Sequence, residues 1–156
     1  MTVLPFFNGE RVPSLPEASA SFLGLTSRNT SPAHLCRAVV EGATFCLRYG
    51  LDLMGPLADQ ARQIRLIGGG AHSAAWRQMV ADITATEVVC PRVTDAAALG
   101  GAIQAAWCAR EGELDELCQA LVQLDEGSRA EPDAGRVKRY GEVYLGWLVA
   151  LDRLHG

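Results

Sequence analysis

Ile64-Arg65-Leu66-Ile67-Gly68-Gly69-Gly70-Ala71-His72-Ser73 decides how this chain is read. Ile64 to Ile67 is a short apolar run bounded by glycine, the pattern of a buried strand. The glycines then turn the chain sharply. A helix begins near Ser73 and carries Trp76, Met79, Val80 and Ile83 at helical spacing. Bare main chain in such a turn lets a ligand approach the backbone closely. The helix start adds unpaired N–H groups and the positive end of a dipole, which suit an anion or a polar ring. Strand, glycine turn and helix in this order fit nucleotide binding. Three glycines after a strand are more often a tight turn with no ligand.

Working outward, Ser31-Pro32 opens a helix, with Ser as N-cap and Pro at the first helical position. Leu35, Val39, Ala43, Cys46, Leu47, Leu51 and Met54 carry it to Met54, and Gly55-Pro56 stops it. Residues 1–30 are punctuated by Pro5, Gly9, Pro13, Pro16 and Gly24 and read as extended segments and loops. That is long for an unstructured start to a compact domain, and makes more sense as part of a larger protein. Beyond the glycine turn, Glu87–Cys90 reads as a second strand ended by Pro91. Asp95 caps an alanine-rich helix over 96–110 that contains Gly100 and Gly101. A helix over 114–124, a polar loop over 125–133 and a last helix over 134–154 complete the chain. The last helix presents Val137, Tyr140, Val143, Tyr144, Trp147, Leu148 and Leu151. Alternating helices and strands describe an α/β layer, with 31–124 as its core and 134–154 as a terminal helix. So few strands leave its sheet incomplete. Either residues 1–30 hide strands, or the others lie in polypeptide outside this chain.

The chain has 156 residues, enough for one domain burying roughly 68–70% of its unfolded surface. Hydrophobic residues at 49% and charged residues at 21% are ordinary for a soluble globular protein. A net charge of −4 without a basic cluster argues against nucleic-acid binding. Five cysteines, scattered and without metal-ligand spacing, read as small core hydrophobes in a reducing cytoplasm. No signal-peptide pattern opens the chain, and no apolar run reaches the roughly 20 residues of a membrane span.

Gly68-Gly69-Gly70-Ala71-His72-Ser73-Ala74-Ala75-Trp76-Arg77-Gln78-Met79-Val80-Ala81-Asp82 resembles the adenosine-binding segment of the FGGY carbohydrate kinases, whose xylulokinase form is GGGA-x-S-x-x-W-R-Q-x-x-A-D. Ala98-Leu99-Gly100-Gly101-Ala102 resembles the A-L-G-A-A helix that follows it there. Phe7-Asn8-Gly9-Glu10-Arg11-Val12-Pro13 looks like the family's G-E-R-x-P loop. Ala20-x-Phe22-x-Gly24-Leu25, eight residues, and His34-Leu35-x-x-Ala38-Val39-Val40-Glu41 fit its C-terminal signature. Arg139-Tyr140 and Tyr144 resemble the xylulokinase tail.

The resemblance implies a partial actin-like (ribonuclease-H-like) ATPase domain, the incomplete C-terminal domain of a sugar kinase. It implies ATP, and Mg²⁺ in the complete enzyme, with D-xylulose as acceptor. Adenine and ribose would lie against Gly69, Gly70 and Ala71, with Gly70 making the direct backbone contact. Ser73 and Ala74 would stand in the first helical turn. Ser73 also reads as a helix cap, and Ala74 lacks the Asn amide that related kinases often place nearby. Phosphoryl transfer needs positioned phosphates, Mg²⁺ and a base. The resemblance places the first phosphate loop, most sugar contacts and the carboxylate base in a missing N-terminal kinase domain, and the second phosphate loop in the second domain ahead of the G-E-R segment.

Within the chain, Asp82 and Glu41 read as structural helix charges, and Glu87 as a strand residue. Glu10 and Arg11 read as fixing their own loop, and Trp76 and Trp107 as packing residues. His34 and His72 read as surface or capping residues. These readings predict no kinase turnover from the isolated chain. Two alternatives stand beside that reading: a non-catalytic nucleotide-binding or interaction module, and part of a kinase for ribulose, gluconate or glycerol. Surface left uncovered predicts an apolar patch, self-association as a homodimer and pairing at free strand edges.

Overall fold

The computed structural model describes residues 1–156, apart from the side chain of Asp59. The chain gathers into two compact units: Met1–Ala61 with Asp82–Ala85 and Pro132–Gly156, and Arg62–Ala81 with Thr86–Glu131.

In the first unit, β1 (Thr2–Leu4) pairs antiparallel with β2 (Ser21–Leu23), Val3 opposite Phe22. Residues 1–30, read as extended segments and loops with hidden strands left as an alternative, therefore do contain two strands. Three residues are too few for the alternation of a half-buried strand to register. Between the strands, the Glu10 carboxylate accepts the N–H groups of Arg11 at 2.6 Å and Val12 at 3.2 Å. Glu10 thus fixes its own loop, as expected.

Helix α1 (Pro32–Leu53) starts where Ser31 Oγ accepts the His34 N–H at 3.4 Å. Its buried face is Ala38, Gly42, Thr44 and Phe45, which corrects the expected series. Leu47 and Met54 from that series are 44% and 53% exposed. Two tertiary contacts choose this face. A methyl group on Gly42 would come within 2.5 Å of the Val3 carbonyl oxygen, so β1 crosses the helix at a residue without a side chain. Phe45 packs among Tyr140, Tyr144 and Trp147 of α6 (Ala134–His155). Gly55, at φ 55°, separates α1 from the short α2 (Pro56–Asp59).

Trp147 is fully buried, stacks on Tyr144 and donates from Nε1 to the Val3 carbonyl at 3.0 Å. The two tail tyrosines pin α6 to α1. Tyr144 donates to Asp52 at 2.7 Å beneath the Arg48 guanidinium, and Tyr140 donates to Glu41 at 2.9 Å. Glu41 also pairs with Arg37 at 2.6 Å, so it is a paired helix charge.

In the second unit, β3 (Gln63–Arg65) runs parallel to β4 (Glu87–Pro91), and β4 pairs antiparallel with β5 (Leu124–Ala130). The polar loop expected over 125–133 is therefore largely a strand. Its polarity misled because β5 is a sheet edge with much of its surface wet. Ser128 and Ala130 are its buried residues. Ser128 Oγ accepts the Cys90 N–H at 2.8 Å and donates to the Asp125 carbonyl at 2.6 Å, bridging an irregularity in the ladder.

Helix α3 (Ala74–Thr84) covers the sheet. Leu66, Ala71, Val80, Ala81, Val88 and Ala130 form the core, with Ile64, Trp76 and Cys90 against it. Asp95 caps α4 (Ala96–Cys108) by accepting the Ala98 N–H at 3.0 Å, and α5 (Leu114–Leu121) follows. Among the described residues no helix is long and apolar enough to cross a membrane, and the five cysteines are unpaired thiols. Partial burial pushes the Cys46 thiol up to about 12, but Cys36 and Cys108 are exposed and Cys46, Cys90 and Cys118 only half-buried, which corrects the reading of the cysteines as core hydrophobes.

Candidate nucleotide site

Because β3 and β4 are parallel, their C-terminal ends open on the same side of the sheet, the usual place for a ligand in an α/β layer. The glycine turn leaves the end of β3 there. Leu66 still bonds the Val89 carbonyl at 2.9 Å, and Gly68 then swings to φ 91°, ψ 176°, a conformation nearly confined to glycine. A single 3-10 turn over Gly69–His72 follows, closed by the Ala71 N–H on the Gly68 carbonyl at 3.0 Å. The N–H groups of Gly69 and Gly70 precede that first bond and have no acceptor inside the turn. Ser73 then starts α3, its Oγ accepting the Trp76 N–H at 3.3 Å.

The three glycines differ in what they leave open. A methyl group on Gly68 or Gly69 would meet no atom within 4 Å. On Gly70 it would come within 2.3 Å of the Trp76 ring. Gly70 is small because Trp76 fills the space a side chain would take. The open main chain is at Gly68 and Gly69.

A cavity of about 450 Å³ lies beside the turn, within the size range of small-molecule sites. Gly68, Ala71 and His72 line it from the turn, Arg77 from α3, and Arg92 and Thr94 from beyond the end of β4. Arg77 Nη1 donates to the Ala71 carbonyl at 2.8 Å and so braces the turn from the first stretch of α3. The Arg92 guanidinium donates from Nε to the Leu124 carbonyl at 3.2 Å and from Nη1 to the Gln123 amide oxygen at 3.3 Å. Two guanidinium groups against one carboxylate, that of Asp125, give the cavity a cationic lining.

The residues singled out from sequence thus separate. Ala71 is on the cavity wall but 8% exposed, its methyl in the core. Gly69 is open and lies at the turn, while Gly70 is backed by Trp76. Ser73 acts as the cap of α3, and Ala74 is an exposed residue of its first turn. Neither of these two lines the cavity, nor do Gly69 and Gly70, so Ala71 alone of the five residues expected at the site does. Sequence reading overlooked Gly68, Arg77, Arg92 and Thr94. A signal existed for the last two: they come within a few residues of the end of the second expected strand.

Other polar candidates have structural work. Asp82 is 2% exposed, pairs with Arg136 at 2.9 Å and accepts the Asp133 N–H at 2.9 Å, which fixes the start of α6. Glu87 pairs with Arg129 and accepts from Gln63 at 2.6 Å, and the two partners hold its carboxyl below the usual range, Gln63 most. Among the described residues no three His, Cys, Asp or Glu side chains gather as a metal-binding group.

The C-terminal domain of the FGGY family of carbohydrate kinases matches residues 1–109. The chain belongs to the FGGY family of carbohydrate kinases. A xylulose kinase of Haemophilus influenzae is 55% identical over 155 residues, covering 99% of this chain and 31% of the relative. The ligand-bound xylulose kinase of Lactobacillus acidophilus superposes with a TM-score of 0.88 at 25% identity, over 98% of this chain and 31% of that one. The gluconate kinase of the same organism superposes equally well, with a TM-score of 0.88 at 25% identity over 98% and 31%. The chain therefore spans about a third of the length of the FGGY kinases it matches. Its mixed α/β architecture is that of the C-terminal domain in an actin-like ATPase fold, as its motifs implied.

Proposed function

We propose that this chain is the nucleotide-binding part of an ATP-dependent FGGY sugar kinase that converts D-xylulose and ATP to D-xylulose 5-phosphate and ADP. The observation that carries this reading is the 55% identity to a xylulose kinase across 99% of the chain. The open turn supports it. Gly68 lines a cavity of about 450 Å³ with bare main chain, and Gly69 next to it leaves open space where a side chain would stand.

In this reading the contact first assigned to Gly70 moves to Gly69. Adenosine rests against Gly68, Gly69 and Ala71, and unpaired N–H groups of the turn face its polar edge. Ser73 and Ala74 act behind that surface, as cap and first turn of α3. Arg77 keeps the Ala71 carbonyl in place. ATP supplies the phosphoryl group, and the Mg²⁺ that accompanies it is assigned to no residue of this chain. The base is also assigned elsewhere, since Asp82, Glu41 and Glu10 are each committed to structural bonds.

Titration calorimetry with ADP tests the site. Gly69→Leu should weaken binding at least tenfold and leave the melting temperature unchanged. Equal heats from both proteins would remove the turn from the account. A coupled ADP-release assay on the chain alone should show no sugar-dependent turnover. A second acceptor class is favoured by the gluconate kinase, which matches the fold as well as the xylulose kinase does. Its test is a comparison of D-xylulose with gluconate in the reconstituted enzyme.

A further inference from the structure

The side chains around the cavity offer more donors than acceptors. Arg92 is pinned against the start of β5, its backbone N–H on the Gln123 carbonyl at 2.9 Å, Nε on the Leu124 carbonyl and Nη1 on the Gln123 amide oxygen. Its Nη2 has no partner among the described residues. Arg77 spends Nη1 on the Ala71 carbonyl at 2.8 Å, and its Nη2 is likewise unspent. A guanidinium keeps its proton and never accepts, so the edge of a ligand that meets these groups must offer acceptors. Thr94 and His72 can donate or accept. Ser128 Oγ is engaged in both directions, by the Cys90 N–H and the Asp125 carbonyl. Asp125 gives Oδ1 to the Gly127 N–H at 3.1 Å, which leaves Oδ2 as the carboxylate acceptor of the cavity.

That carboxylate decides which acceptor-bearing group the arginines suit. A phosphate against Arg77 and Arg92 would meet a like charge in the same cavity. A heterocycle with acceptors on one edge and a ring N–H on the next suits both the arginines and Asp125. Purine bases differ here. Guanine and hypoxanthine present O6 and N7 as adjacent acceptors, the pair that an arginine fork reads in two parallel bonds. Their ring N–H beside O6 is a donor for a carboxylate. Adenine presents N7 beside its amino group, so one N–H of the fork would meet another donor. We infer that this cavity takes guanine and hypoxanthine nucleotides at least as readily as adenine nucleotides, with Arg92 as the specificity-determining residue and Asp125 as the acceptor for the ring N–H. The inference rests on the reading of the cavity as a nucleotide site, and it widens the phosphoryl donor beyond ATP. The bonds to Gln123 and Leu124 hold the Arg92 fork before a ligand arrives, so little ordering is left for binding to supply.

Titration calorimetry of the chain with ADP, inosine diphosphate and GDP tests this. Both oxopurine nucleotides should bind at least as tightly as ADP. On the unaltered chain, 7-deaza-GDP, which keeps the phosphates but lacks the N7 acceptor, should bind about fivefold or more weakly than GDP. Arg92→Met, with an unchanged circular-dichroism spectrum, should lower GDP affinity about fivefold or more beyond its effect on ADP. Equal losses for the two nucleotides would mean that Arg92 attracts phosphate charge alone, and would overturn the inference. So would tighter binding of ADP than of either oxopurine nucleotide. That result leaves the nucleotide site standing, whereas a chain that binds none of the three loses both.

Discussion

The glycine turn predicts an unequal response to the same substitution at neighbouring positions. Gly70→Ala places a methyl carbon 2.3 Å from one atom of the Trp76 ring and 2.5 Å from a second. Carbon atoms at optimal contact stand about 3.5–4.0 Å apart, so the ring must retreat by about 1.2 Å or more. It has little room, because Trp76 packs on the core formed by Leu66, Ala71 and Val80. Overpacking of this kind costs about 1–3 kcal/mol. For a chain of this size that lowers the melting temperature by about 2–12 °C. Gly69→Ala meets no atom within 4 Å and should stay within about 0.5 kcal/mol of wild type. Thermal and urea denaturation of both variants measure the difference. A double-mutant cycle then isolates the contact. With the ring removed by Trp76→Leu, Gly70→Ala should cost less than about 0.5 kcal/mol more. If Gly70→Ala costs nothing, or the same in both backgrounds, Gly70 is not small for the sake of Trp76.

Two further outcomes follow from the charged groups. Asp82→Asn should destabilise the chain by about 1–3 kcal/mol in urea, because it weakens charge-assisted bonds to Arg136 and the Asp133 N–H. A neutral result would show that Asp82 does not hold the start of α6. The lowered pKa of Glu87 stabilises the fold above the ordinary glutamate value of about 4.3, and that contribution is lost as pH falls through the folded value. The melting temperatures of wild type and Glu87→Gln should therefore differ most near neutrality and converge toward pH 3, and a constant gap would contradict this.

The features that could be read in advance are those where one short stretch contains its own physical cause. Ser31, Asp95 and Ser73 cap helices because a side-chain oxygen three residues back satisfies an N–H, whatever the rest of the fold does. The strand-turn-helix from Ile64 was legible for the same reason. What escaped depends on distant partners. The buried face of α1 is set by β1 crossing at Gly42 and by the rings of α6, neither of which leaves a trace in residues 32–53. The polar sequence of β5 becomes a strand because Ser128 replaces a ladder bond to Cys90. At the site, the glycine run announced the turn but not which glycine stays open. Trp76 decided that by occupying the space at Gly70, and only the packed structure shows it. Arg77 was visible in the motif, but its brace on the Ala71 carbonyl was not.

The most direct measurement is an amide proton–nitrogen NMR titration of the isotopically labelled chain with ADP. The account predicts that the resonances of Gly68, Gly69, Ala71 and Thr94 shift together and saturate on one binding curve, while those of β1, β2 and α6 stay still. Shifts confined to another part of the chain, or none at millimolar ADP, would contradict it.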